Sequence, residues 1–155
     1  MIGSGLKKFA QANSLSVGSG IGYGVLRGFQ VTLSEGAGFK QMVINTKFPD
    51  VEKLNVLQAT LNGVNLQKDY RVQQLSFTTG GIVIHFLDNP GTMAKVEAFT
   101  DWFFPLLSEA GAYGADICPE CGEVIDGAVD KSLACFLLLE HTCCIVLQKL
   151  AENDK

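Results

Sequence analysis

The sequence predicts an α+β fold: a curved antiparallel sheet with helices on one side, in the order α-β-β-β-α-β-β-α, followed by a zinc knuckle and a C-terminal helix. Three observations carry this expectation. Apolar residues recur at a period of two between residues 21 and 45 and again between 70 and 86, as half-buried strands require. Between those stretches they recur at three- and four-residue steps, as amphipathic helices require. All 5 cysteines fall within the last third of the chain.

Taken in order, Leu6, Phe9 and Ala10 form one stripe of a short helix, which Asn13 can end in a left-handed turn. Residues 14–20 read as a loop. Ile21, Tyr23 and Val25 then alternate with glycines, and after Arg27-Gly28 the alternation resumes with Phe29, Val31 and Leu33. Two half-buried antiparallel strands joined by a tight turn explain this pattern. Beyond the glycine-rich turn at 35–38, Phe39 to Asn45 reads as a third strand, completing a meander.

Asp50 is placed to cap a helix, its carboxylate accepting orphan N–H groups at the positive end of the dipole. Val51, Leu54, Leu57 and Leu61 are its expected buried face, and Asn62-Gly63 its end. Tyr70–Phe77 and Ile82–Phe86 read as a second hairpin. Asp88 and Asn89 read as capping residues for a helix over 93–110, whose apolar face carries Met93, Val96, Phe99, Trp102, Phe103 and Leu106. Pro105 within it is expected to kink or restart it.

The tail carries the chemistry. Cys118-Pro119-Glu120-Cys121-Gly122 can present two thiolates to one zinc ion from a tight turn, with Gly122 free to let the backbone curl round the metal. Residues 130–150 read as a helix on which His141 and Cys144, three apart, share a face. The expected ligand set is Cys118, Cys121, His141 and Cys144, with Cys143 the alternative to Cys144, and with Cys135 and Cys143 otherwise small apolar thiols. Four protein ligands close the coordination sphere, so one structural zinc is the expectation. A redox CxxC would follow a strand in a βαβ unit, which residues 115–117 do not provide. A disulfide framework fits poorly with an odd count confined to the tail. An iron–sulfur cluster uses the same ligand types at other spacings.

The CPECG turn resembles the knuckle of zinc-ribbon and treble-clef proteins, in which a later helix or second knuckle supplies two more ligands. The second half here is not another CxxC, so the resemblance implies no nucleic-acid role. The element order of the N-terminal part is similar to that of the type III secretion chaperone-like α+β fold. That resemblance implies an antiparallel sheet that dimerises and binds other polypeptides.

At 155 residues the chain is one domain with a small appendage, read as an α+β domain over 1–112 and a knuckle and helix over 113–155 packed on it. A chain this long buries about 70% of its extended surface, enough for a core without metal. A net charge of −4 argues against a nucleic-acid footprint, which needs a basic stripe. No export signal and no apolar run long enough to span a bilayer is read, giving a cytoplasmic expectation in which thiols stay reduced.

Gly18, Gly20, Gly22 and Gly24 open a strand rather than a helix, which fails the context of a dinucleotide loop and favours tight bending or close backbone approach. His85 sits between Ile84 and Phe86 without a partner pattern and reads as structural. Trp102-Phe103-Phe104-Pro105 reads as core, or as a partner site where exposed. The functional expectation is a non-catalytic, zinc-stabilised interaction domain, adaptor- or chaperone-like, engaging a protein partner or a second copy, with no small-molecule substrate evident. The zinc is expected to hold the C-terminal helix against the aromatic helix. The alternative is a thiol- or metal-dependent enzyme or redox sensor in which Cys135 or Cys143 is reactive.

Overall fold

In a computed structural model, residues 4–88 and 91–117 are described. The period-two stretches become strands β2 (Ile21–Leu26), β3 (Phe29–Gly36), β4 (Phe39–Asn45), β5 (Val72–Thr78) and β6 (Gly81–Leu87). A short β1 (Ser16–Gly18) precedes them where a loop was expected. It forms because Gly18-Ser19-Gly20 turns tightly, with Ser19 and Gly20 both at positive φ, and pairs Val17 with Gly22. The sheet is antiparallel throughout, in the order β1-β2-β3-β4-β6-β5.

Register places every second residue on one face. Val31, Ile44 and Ile82 lie side by side in one row, and Leu33, Met42 and Ile84 in the next. All six are at most 1% exposed. Helices α1 (Ser4–Ala12) and α4 (Thr92–Glu109) pack over this inner face. Phe99 is the hub, edge-on to Phe86 at 5.4 Å and stacked on Phe103 at 4.9 Å, arrangements that suit the quadrupoles of the rings. Phe104 meets Phe29 edge-on at 5.8 Å. The Phe103–Phe104 pair is therefore core, while Trp102 is half-buried and stacks on Tyr70 at 5.1 Å.

Several sequence expectations shift. β2 is inverted: Gly22 and Gly24 face the helix side, and Ile21, Tyr23 and Val25 face the other. A Cβ on Gly24, at φ +146, would sit 3.1 Å from the Leu15 side chain, so glycine here lets the α1 exit loop lie against the strand. In α1 the left-handed closing residue is Ser14, one beyond Asn13, whose side-chain amide instead donates to the Phe9 carbonyl at 2.8 Å.

Asp50 caps α2 (Val51–Asn62), accepting from the backbone N–H groups of Glu52 and Lys53 at 3.0 and 3.1 Å. Only Leu57 and Leu61 of α2, which packs on α4, are fully buried; Val51, expected on the buried face, is 66% exposed. Gly63 ends α2 in right-handed geometry. A five-residue helix α3 (Leu66–Tyr70) then takes Tyr70 out of the predicted strand. Asn65 starts α3 by accepting from Lys68 N–H, and Arg71 ends it at φ +56.

Helix α4 continues through Pro105 without interruption. The carbonyl that a residue-105 N–H would have satisfied belongs to Asp101, on the exposed side, where water can serve it. Gly91 occupies the N-cap with no side-chain cap bond, and Asp88 does not cap. Its carboxylate lies 3.3 Å from Lys40 Nζ, which also meets Glu35 at 3.1 Å.

After α4 the chain runs back across the open end of the sheet. Tyr113 N–H donates to Lys47 O, Thr46 Oγ1 to Tyr113 O at 2.8 Å, and Ala115 N–H to Gly28 O at 2.7 Å. The expected knuckle and C-terminal helix, from Cys118 onward, lie outside the described residues, as do Asn89 and Pro90.

Candidate binding cleft at the sheet edge

The expected ligands Cys118, Cys121, His141 and Cys144, and the thiols Cys135 and Cys143, all lie outside the described residues. Among the described residues no group of three or more His, Cys, Asp or Glu side chains converges as a metal site would require. His85 is tied within the sheet: Nε2 lies 2.8 Å from Gln41 Oε1, and the ring stacks on Phe39 at 4.4 Å, the environment of a structural histidine. The glycines at 18–24 shape the β1–β2 hairpin.

A different site appears at the edge of the sheet. β5 has a strand neighbour on one side only among the described residues, so alternate N–H and C=O groups along its other side are available for pairing. Alongside it, α2 and α3 leave a cleft of about 510 Å³. Leu61, Leu66, Leu75 and Phe77 provide apolar surface, and Gln58, Asn62, Gln67, Gln73 and Gln74 provide carboxamides. No ionisable side chain lines it.

The elements explain why it is open. β5 and β6 fall out of step between Val72 and Gln74, where a bulge turns the edge strand. α2 ends at Asn62 and α3 starts at Leu66, so the chain turns away before closing over Leu75 and Phe77. Phe77 is held from below by Phe48, edge to face at 5.8 Å. Gln74 Nε2 donates to Ser76 Oγ at 3.1 Å, fixing one carboxamide on the strand.

A carboxamide offers both a donor and an acceptor, as a peptide group does, and does not change charge with pH. The cleft is thus equipped to pair with a polypeptide backbone and to take apolar side chains at alternate positions. On the opposite flank of α2 a smaller hollow of about 140 Å³ is lined by Lys53, Val56, Leu57, Thr60, Leu106, Glu109 and Ala110, with Val56 68% exposed. α2 stands as a rib between the two.

Sequence reasoning missed this cleft. The available signal is the run of amides from Asn62 to Gln74, in a stretch that reads as an ordinary helix end and strand.

The titratable cluster of the described residues is Lys40 with Glu35 and Asp88, at the far end of the inner face. Burial alone would lower the Lys40 pKa, but hydrogen bonds and charge from the two carboxylates outweigh it and hold the ammonium above its ordinary 10.5. Its side chain is 10% exposed, and it fixes the β3–β4 turn to the end of β6, a structural role. The Tyr70 hydroxyl is also raised, by burial and then by the Asp69 charge. No described helix is long and apolar enough to cross a membrane. Comparison with family models, curated proteins and solved structures finds no match for the chain.

Proposed function

We propose that the protein is a non-catalytic interaction domain that binds an extended polypeptide segment along β5, with a structural zinc bound in its C-terminal region. The observation that carries the binding half is the edge strand bordered by an uncharged, carboxamide- and leucine-lined cleft. An added strand gains affinity from main-chain hydrogen bonds and specificity from pockets for alternate side chains. The zinc half is supported by donor chemistry: three thiolates and an imidazole from Cys118, Cys121, Cys144 and His141 make a closed tetrahedral set. The zinc would stabilise the fold and take no part in a reaction.

The test of the binding half is selection of random peptides on the full-length protein, followed by amide hydrogen exchange with an enriched peptide bound. Slowed exchange across residues 72–78, weakened in Gln67→Lys, an exposed position on the cleft wall, with an unchanged melting temperature, is the expected result. Enriched peptides that protect other segments and leave 72–78 unaltered would remove the proposal.

A further inference from the structure

The second face of the sheet mixes apolar with uncharged polar side chains and carries no charged one. In register its central row is Tyr23, Thr32, Val43, Val83 and Ser76, flanked by Ile21, Ser34, Gln41, His85 and Gln74 on one side and Val25, Gln30 and Asn45 on the other. These positions hold no Lys, Arg, Asp or Glu, in a chain with 12 basic and 16 acidic residues. An antiparallel sheet with one wet face alternates apolar with polar or charged residues, whereas strands buried on both sides read as near-continuous apolar runs. β6 reads Ile82-Val83-Ile84-His85-Phe86-Leu87, the second pattern, whereas β3 and β5 alternate apolar with uncharged polar residues.

We propose that this outer face is covered by the chain's own residues 118–155. The path of the described chain leads there. Gln30 and Phe29 are neighbours on opposite faces of β3; Phe29 meets α4, so Gln30 points outward, and its Nε2 donates to the Ala115 carbonyl at 3.5 Å. By Ala115 the backbone has therefore crossed from the α4 side to the outer side, and Cys118 follows three residues later.

The corner where it arrives is already shielded. Gln30 is 1% exposed, and its Oε1 is buried with no hydrogen-bond partner among the described residues. A buried acceptor left unpaired costs about 1–3 kcal/mol, and a donor arriving with the following segment would remove that cost.

Residues 118–155 have the composition and reach for the task. Leu133, Phe136, Leu137, Leu138, Leu139 and Leu147 belong to a stretch too apolar to remain in water. A helix over 130–150 would be about 30 Å long, against about 24 Å across six strands. α4 offers no comparable surface, since Phe99, Phe103, Phe104 and Leu107 are spent on the inner face. A second copy or another protein would have to compete with a tethered segment held at millimolar effective concentration. The inference does not depend on the peptide cleft or on which metal the cysteines hold.

The test uses the full-length protein with the photo-cross-linker p-benzoylphenylalanine in place of Thr32 or, separately, Ser34. Folding is verified by circular dichroism, and isotopically light and heavy chains are mixed at roughly 10 µM, where tethering gives intrachain contact about a hundredfold advantage. The expected result from either position is cross-linking within one chain to peptides of 118–155, exceeding light-to-heavy product by about that factor. Predominant light-to-heavy product would assign the face to a second copy and overturn the proposal. So would absence of any product in 118–155 from a folded variant. Co-sedimentation of the protein with phosphatidylcholine vesicles, with loss of the intrachain product, would assign the segment to a bilayer and likewise overturn it.

Discussion

Lys40 is the one basic residue with its charge held inside the fold among the described residues, and its two carboxylate partners make it a pH-sensitive strut. Its folded pKa lies above the ordinary 10.5, so the bound proton stabilises the folded state. That stabilisation is fully present below 10.5 and is lost as pH rises through the raised value. Replacing the lysine takes a charged partner from Glu35, whose side chain is 18% exposed, and from Asp88, so Lys40→Met is expected to cost about 1–3 kcal/mol in urea unfolding at pH 7. The gap between variant and parent should narrow as pH rises beyond 10.5, and a constant gap would mean that the lost interaction is packing alone. Gly81 illustrates a backbone constraint of another kind. A Cβ there, at φ +141, would lie 1.9 Å from the Ile44 carbonyl oxygen, and that atom belongs to a neighbouring strand that cannot yield. Gly81→Ala is expected to cost about 3–5 kcal/mol, visible as a fall in melting temperature well beyond that of Gly28→Ala, where nothing lies within 4 Å of the added Cβ.

At the scale of elements, α2 is the least committed piece. It buries two leucines, leaves Val51 and Val56 outside, and is fastened at its start by Asp50. Asp50→Ala is expected to cost about 1 kcal/mol through loss of the two cap bonds. Val56→Lys should leave stability within about 0.5 kcal/mol of the parent, as exposed substitutions do, so that any loss of peptide binding in that variant reports on contact with α2 rather than on folding. β2 carries a different lesson. Its alternation is legible in the sequence, but its sense is not: in a strand reading Ile-Gly-Tyr-Gly-Val, hydrophobicity puts the large residues inward. The structure does the reverse because α1 and Leu15 come so close that only glycine fits between. α4 likewise reads correctly as a helix. What the sequence does not reveal is that Pro105 falls where the freed carbonyl faces water and the helix need not break.

For the whole molecule, the proposed structural zinc would tie metal binding to stability. Cys118→Ser is expected to lose one bound zinc per chain and several kcal/mol, since ligand affinity for the folded state appears as folding free energy. Metal analysis after dialysis, with thermal melts of the same samples, checks this; an unchanged melting temperature in the variant would remove zinc from the stability of the fold. If residues 118–155 lie across the outer face, the melt of the variant should also show Tyr23 becoming solvent-accessible before the inner core opens, because the cover would loosen while the Phe99 cluster stays packed.

The sequence by itself determined the α+β class, five of the six strands, the capped start of α2 and the aromatic helix, because each rests on a local period or cap that neighbouring residues alone can specify. Tertiary structure decided the rest. It brought β6 between β4 and β5, turned the apolar side of β2 outward, drew Asp88 from a cap to Lys40, and opened a cleft where α2, α3 and β5 diverge. Each of these depends on residues far apart in the chain meeting at a distance of a few ångströms. Local periodicity carries no information about which partner a strand will choose or what a helix will leave uncovered.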